Sequence, residues 1–215
     1  MKRNTSLEGV SPRSEAQKDY IRIIRNNELI FSTGPAGTGK TFICAAMAAQ
    51  ALHLNKTGRI IVTRPCVEAE EKLGYLPGEL DDKTAPYFQP FKEALALILG
   101  YNNVVGLLKS GRIEVQPLAY MRGRTFENCW CILDEAQNAT KKQLKLFLTR
   151  IGENSKVIVN GDTSQTDIGG DTGLLDAVAR FRSIPGVGVK EFTIEDCVRS
   201  RLAKIAIEAY EKAGI

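Results

Sequence analysis

The sequence predicts a single α/β domain in which a mostly parallel sheet is covered by helices on both faces. Short apolar runs rich in Val and Ile alternate with amphipathic stretches along the 215 residues, and this alternation is typical of doubly wound domains. Polar residues hardly interrupt the runs, as expected for strands that are buried on both faces. The first run ends in a glycine-rich turn that leads into a helix-forming stretch.

The strands are predicted from apolar runs flanked by turn residues. They are LIFST (29–33), RIIVT (59–63), RIEVQ (112–116), CWCIL (129–133), KVIVN (156–160) and GVKEFT (188–193). Stretches with a 3.6-residue apolar period predict the helices between them. They fall near 14–26, 40–53, 89–99, 103–109, 140–151, 171–182 and 200–213.

Three regions define the predicted domain organisation. Residues 1–12 are expected to be a flexible N-terminus, and 13–215 are expected to form the domain. Segment 64–90 interrupts the regular alternation with Pro, Gly and acidic residues. Long ordered excursions of this kind often carry function, so we expect a functional loop there.

Composition excludes several classes of protein. The net charge of +4 is compatible with a polyanionic partner but does not argue for one. Five cysteines and the single His53 make a zinc site a poor expectation. With no pattern that demands an oxidising compartment, a cytoplasmic protein is expected. No run approaches 18 apolar residues, so no membrane span is predicted.

The turn GPAGTGKT at 34–41 matches the phosphate-binding pattern GxxxxGK[ST]. Its glycines allow backbone angles that let successive N–H groups curl round an anion, and the following helix directs its positive end to the same place. Lys40 supplies a charge for the terminal phosphates, and the Thr41 hydroxyl is a ligand for Mg²⁺. The predicted cradle consists of Gly34, Pro35, Ala36, Gly37, Thr38, Gly39, Lys40 and Thr41.

Two further strands end in polar residues suited to nucleotide chemistry. CWCILDEAQN ends in Asp134, which can hold the water shell of magnesium, and Glu135, which can polarise a water molecule. The alternative is an acidic pair that starts a helix. In P-loop ATPases with an additional strand, VIVNGDTSQTD would lie between the other two, with Gln165 near the γ-phosphate. The alternative for Gln165 is a surface turn.

Several strings, in this order, resemble the PhoH family: GPAGTGKT, TRP, LGYLPGEL, YMRGRTF, ILDEAQN, GDTSQTD and VRS. The resemblance runs from about residue 14 to the C-terminus. It implies a RecA-like P-loop NTPase fold similar to the first RecA-like domain of superfamily 1 helicases.

The resemblance also implies roles for residues outside the cradle. Gln17 matches the glutamine that recognises adenine, although a polar residue on a helix is the simpler alternative. Thr63 and Arg64 match a segment that contacts the nucleic-acid backbone. Pro65 keeps Arg64 extended, and a structural salt bridge is the alternative for this arginine. Arg122 is a further nucleic-acid candidate, although nucleotide or a neighbouring subunit are open alternatives.

Phosphoryl transfer is accelerated by an arginine that neutralises charge in the transition state. Arg199 is the preferred candidate, with Arg201 as the alternative, and an ordinary surface arginine is the simpler alternative for Arg199. The resemblance implies a ring, typically of six subunits, with sites at the interfaces between copies.

The residues predict an ATPase that uses ATP and Mg²⁺, and the resemblance implies that it acts on single-stranded RNA or DNA. Two alternatives remain open from the sequence. One is a P-loop kinase for a small metabolite, which Glu135 and Gln165 argue against. The other is a nucleotide-gated assembly module that responds to a protein partner.

Overall fold

A computed structural model of the chain describes residues 10–65, 80–163 and 172–198, and for 80–87 it describes the backbone alone. Within these ranges six strands form one parallel sheet in the order β3-β2-β4-β5-β1-β6. The strands are β1 (Leu29–Thr33), β2 (Arg59–Arg64), β3 (Ile113–Pro117), β4 (Cys129–Leu133), β5 (Lys156–Gly161) and β6 (Val187–Glu191). The predicted α/β fold with a parallel sheet is confirmed.

The strand order places the ends of three strands side by side. β5 pairs with β1 on one side and with β4 on the other, so it lies between the strands that precede the glycine turn and the Asp–Glu pair, as predicted. Because all three run in the same direction, residues 34, 134 and 162 follow strand ends at one edge of the sheet. This edge is where ligands bind in open α/β sheets.

The described ranges contain six α-helices, of which the first precedes β1 and the others lie between strands. They are α1 (Glu15–Asn26), α2 (Lys40–His53), α3 (Leu80–Leu99), α4 (Tyr101–Lys109), α5 (Lys141–Leu148) and α6 (Gly173–Phe181). Local capping explains two of the starts: the Ser14 hydroxyl accepts from the Gln17 backbone N–H, and Thr140 forms a capping box with Gln143. The helix predicted near 200–213 lies outside the described residues.

The boundary predicted for α3 is wrong. The Pro, Gly and acidic residues of segment 64–90 predict an irregular excursion, with the helix beginning near residue 89, since proline usually ends a helix. The helix instead begins at Leu80. Phe88, Phe91 and Leu95 recur at helical spacing and are fully or almost fully buried, so burial of this face offsets the hydrogen bonds that proline cannot make. Residues 66–79 of the predicted excursion lie outside the described residues.

The core has one layer on each face of the sheet. The first lies under α1 to α4 and contains Tyr20 and Phe91, and the second lies under α5 and α6 and contains Phe147. Cys129 and Cys131 are both buried in the second layer, because alternate residues of a strand point to the same face.

The N-terminal boundary is partly described. Val10 packs against the first core layer, and residues 1–9 of the predicted flexible segment lie outside the described ranges. Across those ranges, no single helix has the length and apolarity needed to cross a bilayer. The C-terminal part of α3 (Gln89–Leu99) meets the criteria of length and apolarity only when it is combined with α4, and the two are bent by 115° relative to each other.

Candidate nucleotide-binding site

The glycine turn after β1 adopts the backbone that the sequence predicted. Gly34, Gly37 and Gly39 have φ values of 134°, 86° and 91°, a region that other residues rarely adopt. A Cβ at Gly34 would also lie 2.4 Å from the carbonyl oxygen of Phe192. α2 starts directly after this turn, so its first N–H groups point at the space that the turn encloses. The arrangement suits a phosphate group.

The Lys40 side chain folds back over this turn. Its Nζ donates hydrogen bonds to the carbonyl oxygens of Gly34 (2.5 Å) and Pro35 (2.9 Å), and the residue is 9% exposed. The carbonyl oxygens of the turn therefore fix the position of the Lys40 ammonium group beside the turn. An anion there would meet a fixed positive charge.

Asp134 lies at the tip of β4 and connects the turn to β2. Its Oδ1 accepts a hydrogen bond of 2.9 Å from the Thr41 hydroxyl, and its Oδ2 accepts from Arg64 Nε (3.1 Å) and Nη2 (2.5 Å). The carboxylate is almost fully buried. A hydroxyl next to a carboxylate is an oxygen donor set that fits Mg²⁺. In this structure Arg64 forms a salt bridge with Asp134, which is the alternative given above for this arginine.

Glu135 has a backbone conformation that is unusual for glutamate. Its φ of 55° and ψ of 38° place it in the left-handed region. The side chain is exposed, and its Oε2 accepts a hydrogen bond of 2.7 Å from Gln137 Nε2. Gln137 is buried, and its Oε1 accepts from the Asp162 backbone N–H at 2.9 Å. The tip of β5 thereby fixes the group that orients the glutamate.

The end of β5 is also bonded to the cradle. Asp162 is 5% exposed, and its Oδ2 accepts a hydrogen bond of 3.1 Å from the Ala36 backbone N–H. Gln165, predicted to lie near the γ-phosphate, is outside the described residues. Sequence reasoning missed Gln137 and Asp162, although both lie in the strings ILDEAQN and GDTSQTD that carried the family resemblance.

Gln17 packs beneath the cradle. Its Nε2 donates to the Thr38 carbonyl oxygen at 3.0 Å, and its Oε1 accepts from the Arg13 backbone N–H at 2.8 Å. The residue is 4% exposed, and a Cβ at Gly39 would lie 2.7 Å from its Nε2. Gln17 therefore supports the shape of the turn, and recognition of adenine stays a prediction.

Residues of the cradle, Asp134, Glu135 and Asp162 line one cavity of about 400 Å³. A second part of the lining, formed by Phe42 of α2 and by α3, is a largely apolar wall. Two of its large side chains, Phe42 (44% exposed) and Leu97 (72%), are open to solvent. The wall was missed from the sequence because Phe42 and Leu97 both lie in stretches assigned to helix packing. The lining comprises Ala36, Gly37, Gly39, Lys40, Thr41, Phe42, Pro90, Glu93, Ala94, Leu97, Asp134, Glu135, Gly161 and Asp162.

A buried polar network supports the cradle from below. Asn160 Oδ1 accepts from the Tyr20 hydroxyl (2.9 Å) and the Ser32 hydroxyl (2.6 Å), and its Nδ2 donates to Cys44 Sγ (3.1 Å). Burial raises the pKa of the Cys44 thiol, and the nearby Asp134 carboxylate raises it further. Burial likewise raises the pKa of the Tyr20 hydroxyl. Both groups are therefore neutral, and the network adds no charge beneath the phosphate site.

The predicted nucleic-acid residues differ in accessibility. Arg122 is exposed, whereas the Arg64 side chain is 16% exposed and bonded to Asp134. Thr63 is fully buried, and its hydroxyl has no hydrogen-bond partner among the described residues. Contact between Thr63 and a polymer would require the end of β2 to rearrange. The structure thus does not place the three side chains on one surface.

Taken with the parallel sheet, these contacts identify the class of protein. A turn lined with N–H groups, a fixed ammonium group and two adjacent carboxylates at a strand tip suit a nucleoside triphosphate, and the protein is a P-loop NTPase with a RecA-like fold. A family profile described as PhoH-like protein matches residues 9–211. The chain therefore belongs to the PhoH family.

Curated relatives agree with this assignment. The chain is 52% identical over 202 residues to Protein PhoH of Escherichia coli K12, covering 92% of this chain and 57% of that protein. It is 43% identical over 212 residues to a PhoH-like protein of Bacillus subtilis strain 168, covering 98% of this chain and 66% of that protein. The chain thus spans roughly three fifths of the length of these relatives.

Among solved structures, the large terminase of a thermophilic bacteriophage shares the fold. The TM-score is 0.53 at 10% sequence identity, and the match covers 92% of this chain and 50% of the terminase. At this identity the likeness concerns the fold alone.

Proposed function

We propose that this chain hydrolyses ATP in the cavity at the strand tips, with Mg²⁺ as cofactor. The observation that carries the proposal is the position of Asp134 and Glu135, which line the same cavity as the phosphate cradle. Thr41 and Asp134 would hold the ion, which when bound neutralises charge on the phosphates. The N–H groups of the cradle and Lys40 would bind and orient the phosphate chain.

Glu135 is assigned as the general base. Its carboxylate accepts the proton of a water molecule as the water oxygen forms a bond to the γ-phosphorus. The bond between that phosphorus and the β–γ bridging oxygen breaks, and ADP and inorganic phosphate leave. Gln137 orients the carboxylate for this role. The left-handed backbone at Glu135 supports the assignment, because strained residues of this kind cluster at active sites.

Release of inorganic phosphate distinguishes hydrolysis from phosphate transfer to a metabolite. We expect the purified chain to release phosphate from ATP with Mg²⁺ and no added acceptor, and to stop when the metal is chelated. Turnover only with a small-molecule acceptor, and little free phosphate, would instead identify a kinase.

We further propose that hydrolysis is coupled to single-stranded RNA or DNA by a ring of subunits, six being the expected number. The family resemblance and the exposed Arg122 support this part. A panel of RNA and DNA strands in the ATPase assay, with a mass measurement of the assembly, tests it. Stimulation by a protein partner and not by any strand would favour the nucleotide-gated assembly module.

Mixing of variants tests whether Arg199 completes a site on a neighbouring subunit of such a ring. We expect Arg199→Ala to be inactive alone and to regain part of the ATPase activity when mixed with Lys40→Ala, because one interface can then combine two intact halves. Exchange of subunits is verified with differently labelled chains. No recovery after exchange would contradict a shared site.

A further inference from the structure

The Asp134 carboxylate already accepts hydrogen bonds from two side chains. Its Oδ1 accepts from the Thr41 hydroxyl, and its Oδ2 accepts two hydrogen bonds from the Arg64 guanidinium. The two side chains of the salt bridge are 16% and 3% exposed. Solvent therefore screens this pair far less than it screens a surface ion pair.

A magnesium ion and its water molecules would need the same carboxylate. The Thr41 hydroxyl bonds Oδ1 of Asp134, and the Arg64 guanidinium bonds the other oxygen, Oδ2. Bringing a divalent cation to Thr41 and Asp134 also brings it close to the charge on Arg64, and like charges repel strongly where water is scarce. Simultaneous binding of Mg²⁺ and of the Arg64 guanidinium to the Asp134 carboxylate is therefore unfavourable.

Arg64 is placed to move away. It is the last residue of β2, at the cavity edge of the sheet, and its side chain is 16% exposed whereas that of Asp134 is 3% exposed. A guanidinium released from a carboxylate retains its fork of donors, and phosphate oxygens accept the same bidentate geometry. A released Arg64 therefore suits a phosphate oxygen, and under the proposed function a phosphodiester of the bound strand supplies one.

We propose that Arg64 is a positioning residue that exchanges between Asp134 and a phosphate of a nucleic-acid strand, so that binding of metal–nucleotide and binding of the strand favour each other. Loading of metal at Asp134 displaces Arg64 and makes it available, and capture of Arg64 by the strand exposes Asp134 to the metal. Thermodynamic linkage requires the effect to be equal in both directions. This inference rests on the proposed function for its nucleic-acid half and on the geometry of Asp134 for its metal half.

The metal half is tested by binding alone. A fluorescent, non-hydrolysable ATP analogue is titrated at increasing Mg²⁺ with the parent chain, Arg64→Gln and Arg64→Lys. We expect Arg64→Gln to lower the Mg²⁺ concentration for half-maximal binding by about tenfold, the usual size of a coupling between sites. Arg64→Lys keeps the charge but loses the fork, so its requirement should fall between the other two.

Arg59→Gln is the matched control, since Arg59 lies at the opposite end of β2 and pairs with Glu114 at 3.1 Å. Its Mg²⁺ requirement should equal that of the parent chain. An equal or greater Mg²⁺ requirement for Arg64→Gln would overturn the competition. If Arg64→Gln does not fold, the same criterion applies to Arg64→Lys.

The nucleic-acid half is tested by the affinity for a labelled RNA oligonucleotide, with and without the analogue and Mg²⁺. We expect metal–nucleotide to raise the affinity of the parent chain about tenfold and to leave that of Arg64→Gln unchanged. RNA binding by the parent chain that ignores metal–nucleotide would overturn the exchange while leaving the proposed function standing. No binding of RNA or DNA by the parent chain in either condition would overturn the nucleic-acid half of both proposals.

Discussion

The carboxylate of Glu135 accepts a hydrogen bond of 2.7 Å from the side-chain amide of Gln137, two residues further along the chain. The other end of that amide accepts from the backbone of Asp162 at the tip of β5. Two neighbouring strands of the sheet therefore fix the orientation of the proposed general base. The short separation along the chain brings the side chains of Glu135 and Gln137 near each other, and the hydrogen bond from Asp162 fixes the amide of Gln137.

Replacement of the base should separate binding from chemistry. We expect Glu135→Gln to bind nucleotide with an affinity close to that of the parent chain and to lose about 100-fold or more in kcat, because the amide cannot accept a proton at neutral pH. Equilibrium binding and steady-state phosphate release provide the two measurements. Hydrolysis at the parent rate would refute the role assigned to Glu135.

The amide that orients the base should matter less than the base itself. We expect Gln137→Ala to lower kcat by about tenfold with nucleotide affinity nearly unchanged, since Glu135 remains but is no longer held. Gln143→Ala is the control, because Gln143 caps α5 and does not line the cavity. It should lower thermal stability and spare kcat, and an equal loss of kcat in both variants would argue against an orienting role for Gln137.

The lysine folded over the cradle should control affinity. We expect Lys40→Ala to weaken binding of ATP by roughly 10- to 100-fold, the effect of removing a charged hydrogen-bond donor. Isothermal titration measures it. A variant that is folded and binds ATP as tightly as the parent chain would contradict the assignment of the cradle.

The apolar wall of the cavity should contact the nucleoside and not the phosphates. We expect Phe42→Ala to weaken binding of ATP about tenfold, which is the effect of removing one aromatic side chain that stacks on a base. Binding of inorganic tripolyphosphate, which has no base, should be unchanged in the same variant. Equal weakening of both ligands would show that Phe42 acts through the shape of the cradle.

The network beneath the cradle should contribute to stability. We expect Asn160→Ala to lower the free energy of unfolding by about 1–3 kcal/mol, because the Tyr20 and Ser32 hydroxyls lose a buried acceptor. Tyr20→Phe should lower it by less, since the Ser32 hydroxyl still bonds Asn160. Denaturant unfolding of both variants and the parent chain measures the two effects. A larger loss in Tyr20→Phe would show that Asn160 is not the centre of the network.

Local chemistry explains why so much could be predicted from the sequence. The bounds of β1, β4 and α2 and the positive φ values of the cradle glycines follow from apolar runs and from residues that lack a Cβ. Such properties depend on a few neighbouring residues, so a periodic pattern is enough to predict them. The start of α3 was missed because burial of its apolar face outweighed the local preference of its prolines.

The sequence by itself determined the parallel sheet, the phosphate cradle and the two acids at the end of β4. Only the tertiary structure decided that Arg64 bonds Asp134 across 70 residues, that Asp162 bonds Ala36 across 126, and that Phe42 faces α3 in a shared cavity. The physical reason is that these contacts join ends of strands whose neighbours are set by the crossover connections. The local sequence pattern of a strand is the same whichever strands lie beside it in the sheet. The residues that meet at its end, however, depend on which strands are its neighbours.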